Sequence, residues 1–255
     1  MRSVVLTDLD DTLFQTARKL PKAVLADARP VAQAHNGAHS YMTAQQAQLM
    51  AFLRQGGLVV PVTARGSEAF GRVALDWPGP AIIANGARIL TDGQDDPAYA
   101  AAMRSALAPH RDALVALPQA ARQAALARDM AVRAWAVEEP GLAGVYAVVK
   151  ANPGTDEARL AELEQPLAAG LPPGWRRHRN GNNLAFLPPP VSKRHAVQWL
   201  LARLRQELGP ILTIGLGDSL SDLDFMRLCD VWMTPAASQI DTALPTDPWQ
   251  IGQNR

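Results

Sequence analysis

Residues 4–14 read VVLTDLDDTLF. A short apolar run, Val4-Val5-Leu6, leads into Asp8, Asp10 and Asp11, and Thr12 closes the cluster. An apolar run without alternation fits a strand buried on both faces, as in a parallel sheet. Carboxylates crowded at the end of such a strand repel one another, so they either face solvent or hold a cation. In open α/β sheets ligands bind in the crevice beyond the carboxyl ends of the strands. Asp8 and Asp10 are therefore placed where a hard, oxygen-seeking cation such as Mg2+ is held. The plainer use of Asp and Thr after a strand is to cap a helix; the rest of the chain separates the two readings.

The chain has 255 residues, 48% hydrophobic and 19% charged, which suits a globular protein with a sizeable core. A net charge of +1 gives no electrostatic argument for nucleic acid or membrane as partner. One cysteine, Cys229, excludes an intrachain disulfide framework and reads as a buried thiol. The N-terminus enters a strand at once, and no apolar run reaches the ~20 residues of a membrane span. These features predict a cytoplasmic protein.

After the aspartates, residues 15–42 carry little periodic hydrophobicity. Loops beyond ~12–15 residues in compact domains are functional or disordered. This one leaves the chain beside the carboxylates, so an ordered flap or hairpin at the mouth of a site is expected, with alternation over residues 23–29 suggesting the hairpin. His35 and His39 would share a face on a helix, but Asn36-Gly37 favours a turn, and a solvated loop is expected rather than a metal site. Thr43 then caps a helix with Ala47, Leu49, Met50, Phe52 and Leu53 on a helical period, ended by Gly56-Gly57. A second buried-type strand, 58–62, runs into Thr63-Ala64-Arg65-Gly66. A hydroxyl at that strand end is placed to bond a phosphoryl oxygen. Residues 67–77 read as helix and 81–84 as a third strand, followed by the turn signal Asn85-Gly86.

From residue 88 to 187 the texture changes. An Ala/Leu/Arg-rich stretch, 98–130, reads as helix interrupted near Pro109 and Pro118. Strand-like runs at 131–137 and 144–150 flank a Glu-Glu-Pro-Gly turn, a hairpin signature. Thr155 is expected to cap a helix to about residue 169. A basic strand, 175–179, then meets Asn180-Gly181 and a last strand, 184–187. An open sheet with helices on one face buries this order of elements. On the basic strand Arg177 and Arg179 share one face, Arg176 and His178 the other. Pro188-Pro189-Pro190 is a stiff connector and marks a boundary. The expected organisation is a core from 1–86 and 188–255, with an inserted domain over 87–187.

Lys193 falls in the first turn of the next helix, where a cation is disfavoured unless an anion shares the site. A fourth strand, 211–215, leads into Gly217-Asp218-Ser219-Leu220-Ser221-Asp222. Two carboxylates four apart, after glycines that permit close backbone approach, suit a metal site. Residues 223–229 read as helix and 231–233 as a fifth strand.

Taken in order, Asp8-x-Asp10-x-Thr12, Thr63, Lys193 and Gly217-Asp218-x-x-x-Asp222 resemble the four motifs of the haloacid dehalogenase superfamily of phosphatases. Strand-Asn85-Gly86-Ala87 resembles the point where many sugar-phosphate phosphatases of that superfamily leave the core for a cap. Ser221 stands where many cap-bearing relatives have Asn. The resemblance implies an α/β fold, a Rossmann-like parallel-sheet core with a smaller inserted α+β cap. Within the superfamily it is most similar to the sucrose-phosphate, trehalose-phosphate and mannosyl-phosphoglycerate phosphatase branch.

The same resemblance implies Asp8 as nucleophile, Asp10 as general acid and base, Thr12 as its orienting group, and Thr63 and Lys193 on the phosphoryl group. It implies Mg2+ held by Asp8, Asp10 and Asp218, with Asp222 bracing the metal shell or pairing with Lys193. Arg65, Asn85, Ser219, Arg177, Arg179, Asn182 and Asn183 are the substrate-binding candidates. The expected activity is hydrolysis of a small-molecule phosphate ester, most simply a sugar phosphate. A phosphotransferase or mutase on the same core, and a catalytically silent binding protein, are the alternatives.

Overall fold

The structure, a computed structural model, describes residues 2–34 and 37–244. His35, and with it the His35/His39 pair, lies outside the described residues, as does the tail beyond residue 244. The chain divides into two compact units, Met1–Asp96 with Lys193–Arg255, and Pro97–Ser192.

In chain order the first unit opens with β1 (Arg2–Thr7), β2 (Gln15–Thr16), α1 (Lys22–Asp27), β3 (Arg29–Gln33) and β4 (His39–Met42). It continues with α2 (Ala44–Gly56), β5 (Gly57–Pro61), α3 (Ser67–Gly71), β6 (Ala81–Ile83), β7 (Arg88–Thr91) and β8 (Gln94–Asp95). The second unit holds α4 (Pro97–Leu107), α5 (Arg111–Leu126), β9 (Val132–Glu139), β10 (Leu142–Ala151), α6 (Ala161–Ala169), β11 (Arg176–Asn180) and β12 (Asn183–Leu187). The chain then returns to the first unit through α7 (Lys193–Leu208), β13 (Ile211–Leu216), α8 (Leu223–Met226), β14 (Val231–Met233) and α9 (Gln239–Ala243).

The first unit is built on a parallel sheet in the order β14-β13-β1-β5. β1 lies inside because its apolar run is covered on both faces: Val4, Val5 and Leu6 are at most 2% exposed. A parallel bridge between Val62 and Ile82 carries the sheet on to β6. In register, Thr7 stands level with Leu216 on one side and Pro61 on the other. Asp8, Thr63 and Gly217 therefore leave the sheet at the same, carboxyl-terminal edge. α2 packs on β1 and β5 behind a full capping box: the Thr43 side chain accepts from Gln46 N–H, and the Gln46 side chain accepts from Thr43 N–H. Gly57 begins β5 because a Cβ there would sit 2.1 Å from the Ser3 carbonyl oxygen.

Residues 15–42, where described, hold secondary structure of their own. They form an antiparallel sheet, β2-β4-β3. The alternation over residues 23–29 is a short helix, α1, rather than hairpin strands. The helix expected over 67–77 ends at Gly71. Beyond it the Ala74 N–H turns to the Val31 carbonyl (2.7 Å), and Val73 is buried against that same sheet. Tertiary pairing has taken the donors that would have continued the helix. In the stretch read from sequence as the start of the insertion, β7 pairs with β6 and β8 with β7, within the first unit.

The second unit is an antiparallel sheet, β11-β12-β10-β9. Its covered face packs Ala134, Ala147, Val149, Leu184 and Phe186 against Leu117, Ala121 and Leu163 of α5 and α6. Pro109 falls in the 3-10 turn between α4 and α5, but α5 runs through Pro118, which is buried. Thr155 does not cap α6; its hydroxyl donates to the Ala131 carbonyl, and Asp156 caps the 3-10 turn that leads into the helix. The open face carries the alternate residues, in the cross-strand row Trp135, Val148, Ala185, His178 and the row Arg133, Lys150, Asn183. This is an α/β fold with a parallel-sheet core and a separate α+β unit. Among the described residues no helix is long and apolar enough to cross a membrane.

Candidate active site

Three side chains at the carboxyl edge of the parallel sheet meet around one ammonium. Lys193, the first residue of α7, donates through Nζ to Asp8 Oδ1 and to Asp222 Oδ1, each at 2.7 Å. Asp8 lies one residue beyond β1, with its own N–H bonded to the Leu216 carbonyl at 2.8 Å. Asp222 is reached because Gly217 lets the α8 segment close on the strand end. A Cβ on Gly217 would fall 2.6 Å from Asp222 Cβ, and one on Gly215 2.9 Å from Met226 Cα. The other oxygen of Asp222, Oδ2, accepts from the N–H (3.1 Å) and the hydroxyl (2.6 Å) of Ser219. Both oxygens of Asp222 are thereby engaged, and the carboxylate braces Lys193.

Asp218 completes the acidic group: carboxylate oxygens of Asp8, Asp218 and Asp222 lie within 4.8 Å of one another. Thr12 Oγ1 donates to Asp218 Oδ1 at 3.1 Å. The hydroxyl expected to orient Asp10 thus orients Asp218, because the turn over residues 9–14 points it across to the β13 side. That turn is closed by Leu13 N–H to the Leu9 carbonyl (2.9 Å) and Asp11 N–H to the Phe14 carbonyl (2.8 Å), with Asp11 at φ +65°. Asp11 pairs with Lys19 at the base of the β2-β4-β3 sheet.

The electrostatics follow from burial and like charge. Burial pushes the Asp8 carboxyl well above the usual range, with Asp222 and Asp10 adding to it and Lys193 opposing. Burial works against the Lys193 ammonium, yet Asp222 and Asp8 together hold its pKa above the ordinary lysine value. Burial also opposes the Asp222 carboxylate, but Lys193 and Ser219 outweigh it and bring the pKa down. Burial, then Asp222 and Asp11, push Asp218 up to about 6. One buried ammonium faces three clustered carboxylates, and the donors are all hard oxygens, which is the ligand set for Mg2+. The residues present therefore fit such an ion.

Asp10 is held by a different partner. Arg65 meets its carboxylate at two points, Nε to Oδ2 and Nη2 to Oδ1, each at 2.7 Å. Arg65 N–H donates to Thr63 Oγ1 at 3.1 Å, and Asn85 N–H donates to the Thr63 carbonyl at 3.1 Å. Ala84 and Asn85 reach that position at φ +51° and +56°; Asn tolerates this conformation, Ala less so. Of the residues singled out from sequence, Asp8, Thr12, Lys193, Asp218, Ser219 and Asp222 converge, and Asp10, Thr63, Arg65 and Asn85 form an adjoining set. Arg177, Arg179, Asn182 and Asn183 belong to the second unit. There Arg179 bonds Glu164 of α6 at 2.6 Å, and Asn183 Nδ2 donates to Asn182 Oδ1 at 3.2 Å. In register Arg177 and Arg179 lie opposite Phe186 and Leu184, on the face that the helices cover. The Arg65–Asp10 pair and the Ser219–Asp222 bonds gave no sequence signal, because neither spacing nor periodicity names a partner.

No family model and no curated protein matches the chain at the level of sequence. Solved structures do match its fold. One is the sucrose-phosphatase of Synechocystis sp. in complex with sucrose and phosphate: 18% identity, 89% of this chain and 80% of that one, TM-score 0.52. Another is the C-terminal domain of the Candida albicans trehalose-6-phosphate phosphatase: 14% identity, 89% of this chain and 73% of that one, TM-score 0.53. A third is the IMP-bound mutant IMP-nucleotidase of Plasmodium falciparum: 10% identity, 94% of this chain and 66% of that one, TM-score 0.55. At such identities the shared property is the architecture: the chain has the fold of these structures, a parallel α/β core interrupted by an α+β insertion.

Proposed function

We propose that this protein is a Mg2+-dependent phosphomonoester hydrolase that works through an aspartyl-phosphate on Asp8. The observation that carries the reading is the Asp8–Lys193–Asp222 bridge with Asp218 beside it. A carboxylate meant to attack a phosphate dianion needs positive charge beside it: Lys193 supplies one ammonium, and the clustered carboxylates are suited to hold a cation.

In the reaction an Asp8 oxygen bonds to phosphorus and the ester oxygen leaves. Lys193 offsets the negative charge gathered on the phosphoryl oxygens, while Asp222 and Ser219 keep its ammonium in place. Thr63, at the edge of the same sheet, is the hydroxyl offered to a phosphoryl oxygen. Asp10 gives its proton to the leaving alkoxide and then takes one from the water that hydrolyses the intermediate. The Asp8 and Asp218 carboxylates and the Asp10 carbonyl, with Asp222 behind them, would hold Mg2+, which when bound would supply the remaining positive charge. The substrate we infer is a sugar phosphate or a similar polar small molecule, in keeping with the named substrates of two structural relatives.

The test is release of inorganic phosphate from a panel of sugar phosphates, nucleotides and an aryl phosphate. Release is expected to need Mg2+ and to vanish in Asp8→Asn. Activity that survives a chelator or that substitution removes the mechanism. Transfer of the phosphoryl group to a second hydroxyl, without free phosphate, identifies a phosphotransferase instead.

A further inference from the structure

We propose that Arg65 is a positioning residue that aims Asp10, and not a substrate ligand; this rests on the phosphatase reading given above. The guanidinium is a planar fork, and it meets the Asp10 carboxylate at both oxygens at 2.7 Å. A two-point contact fixes the plane of the carboxyl group as well as its distance, which a single hydrogen bond does not. Each carboxylate oxygen keeps a second lone pair, so the clamp holds Asp10 without closing it to a proton donor or a leaving oxygen.

Arg65 is itself held on every side. Nη1 donates to the Ala69 carbonyl at 3.3 Å, and the guanidinium lies over the Phe14 ring, 5.1 Å from its centroid. Its backbone is pinned between Thr63 Oγ1, which accepts its N–H, and Ala84 N–H, which donates to its carbonyl at 2.7 Å. Phe14 is fully buried in the first unit's core. The clamp therefore stands on the packed interior rather than on a mobile side chain.

Exposure separates the partners. The Arg65 side chain is 16% exposed and that of Asp10 47%. The arginine is the buried backing and the carboxylate is the face turned outward. An ion pair with so exposed an acid contributes little to stability, so folding alone does not account for a bidentate, aromatic-backed arginine here. Three of the five guanidinium N–H donors are taken, two by the Asp10 carboxylate and one by the Ala69 carbonyl. The same turn also joins the Asp10 brace to the Thr63 hydroxyl. Asp10 is thereby set by the segment that presents Thr63, and the two are fixed together.

The experiment compares wild type with Arg65→Gln, Arg65→Lys, Asp10→Asn and the Asp10→Asn/Arg65→Gln double variant, each checked for a native melting transition. Two esters are used, an aryl phosphate with a good leaving group and a sugar phosphate with a poor one. With the sugar phosphate, Arg65→Gln is expected to lower kcat by roughly ten- to a hundredfold and leave KM within about twofold, as misaiming one proton-transfer group does. The aryl group leaves without a general acid, so the first-turnover burst of the aryl alcohol should change by less than about threefold, while steady-state kcat falls on both esters because Asp10 also takes the proton of the hydrolytic water. Arg65→Lys should recover part of the loss, and Arg65→Gln should add nothing in the Asp10→Asn background. If Arg65→Gln fails to fold, Arg65→Lys against Asp10→Asn carries the comparison.

A raised KM with unchanged kcat makes Arg65 a substrate ligand and overturns the proposal. Equal losses of the first-turnover rate on both esters, or additive losses in the double variant, overturn it as well. Wild-type phosphatase activity with a silent Arg65→Gln overturns the positioning role alone. A wild type that releases phosphate from no ester overturns the phosphatase reading and this role with it.

Discussion

Lys193 shows how much of this site is settled by single residues. It was legible in the sequence because a cation in a helix's first turn opposes the helix dipole and calls for an anion. The structure supplies that anion twice over, in Asp8 and Asp222. The third carboxylate, Asp218, forms no ion pair among the described residues: Thr12 gives it a hydrogen bond, and burial with its acidic neighbours keeps its pKa high against the opposing charge of Lys193. A divalent ion should therefore stabilise the protein measurably. At a Mg2+ concentration a hundred times the dissociation constant the gain is about 2.7 kcal/mol. A thermal melt with and without Mg2+ is expected to show a rise in Tm that Asp218→Ala abolishes. No rise in the wild type would remove the metal from the scheme. Cys229 behaves oppositely to a reactive thiol. Burial, with Asp230 adding to it, pushes its pKa up to about 12. The thiolate is the reactive form, so at pH 8 a thiol reagent should label native Cys229 slowly and urea-unfolded Cys229 quickly. Rapid labelling of the native protein would contradict the burial.

At the scale of elements, close approach decides what each strand end can present. Gly215 and Gly217 bring α8 against β13, and only then does Asp222 reach Lys193. The glycines were visible in the sequence as a license for proximity, but what comes close was not, because the partner arrives from a later turn. The helix expected over 67–77 failed for a similar reason: a register with residues 31–32 claimed its backbone, and no local propensity records such a competitor. β13 and β14 are tied by a reciprocal bond. Asp230 Oδ2 accepts from Thr213 N–H (2.8 Å) and hydroxyl (2.7 Å), and Asp230 N–H donates back to Thr213 Oγ1 (2.9 Å). The Thr213 hydroxyl and N–H hold the Asp230 carboxyl below the usual carboxylate range. A depressed acid stabilises the fold above its unfolded pKa, near 3.8, and loses that contribution as pH falls through the lower folded value. Asp230→Asn should therefore reduce stability at pH 7 and narrow the gap to wild type as pH drops below about 4. Urea midpoints at pH 7 and pH 3 measure this, and a gap independent of pH would mean that the bond's charge contributes nothing.

For the whole molecule, the two units were legible to different degrees. Strands buried on both faces announce themselves as apolar runs, so the parallel core followed from β1, β5 and β13 with motif residues at their ends. The second unit offered only an order of elements. Its register was open, and register decides which side chains share the helix-covered face. The pairing of β11 with β12 puts Arg177 and Arg179 on that covered side, where Arg179 meets Glu164. Lys150, Asn183, His178 and Trp135 share the open face.

If the second unit selects the hydroxyl-rich part of a substrate, the open face is where its side chains are available to do so. Trp135 is 41% exposed there, and the small side chains of Val148 and Ala185 separate it from His178 in the same row. An exposed indole beside short side chains offers a flat apolar surface to a sugar ring, and Asn183 and Lys150 in the next row offer donors to its hydroxyls. Trp135→Ala and Asn183→Ala are expected to raise KM for the preferred sugar phosphate by roughly five- to fiftyfold, the effect of losing about 1–2 kcal/mol of binding. Hydrolysis of an aryl phosphate should stay near wild type, because it lacks the sugar. Arg179→Ala should leave both KM values unchanged and cost at most about 1 kcal/mol of stability, as a half-exposed ion pair does. Steady-state kinetics on the two esters, with a melt for each variant, separates the faces. A KM effect at Arg179 with none at Trp135 or Asn183 would return selectivity to the covered side and leave the open face without a role in binding.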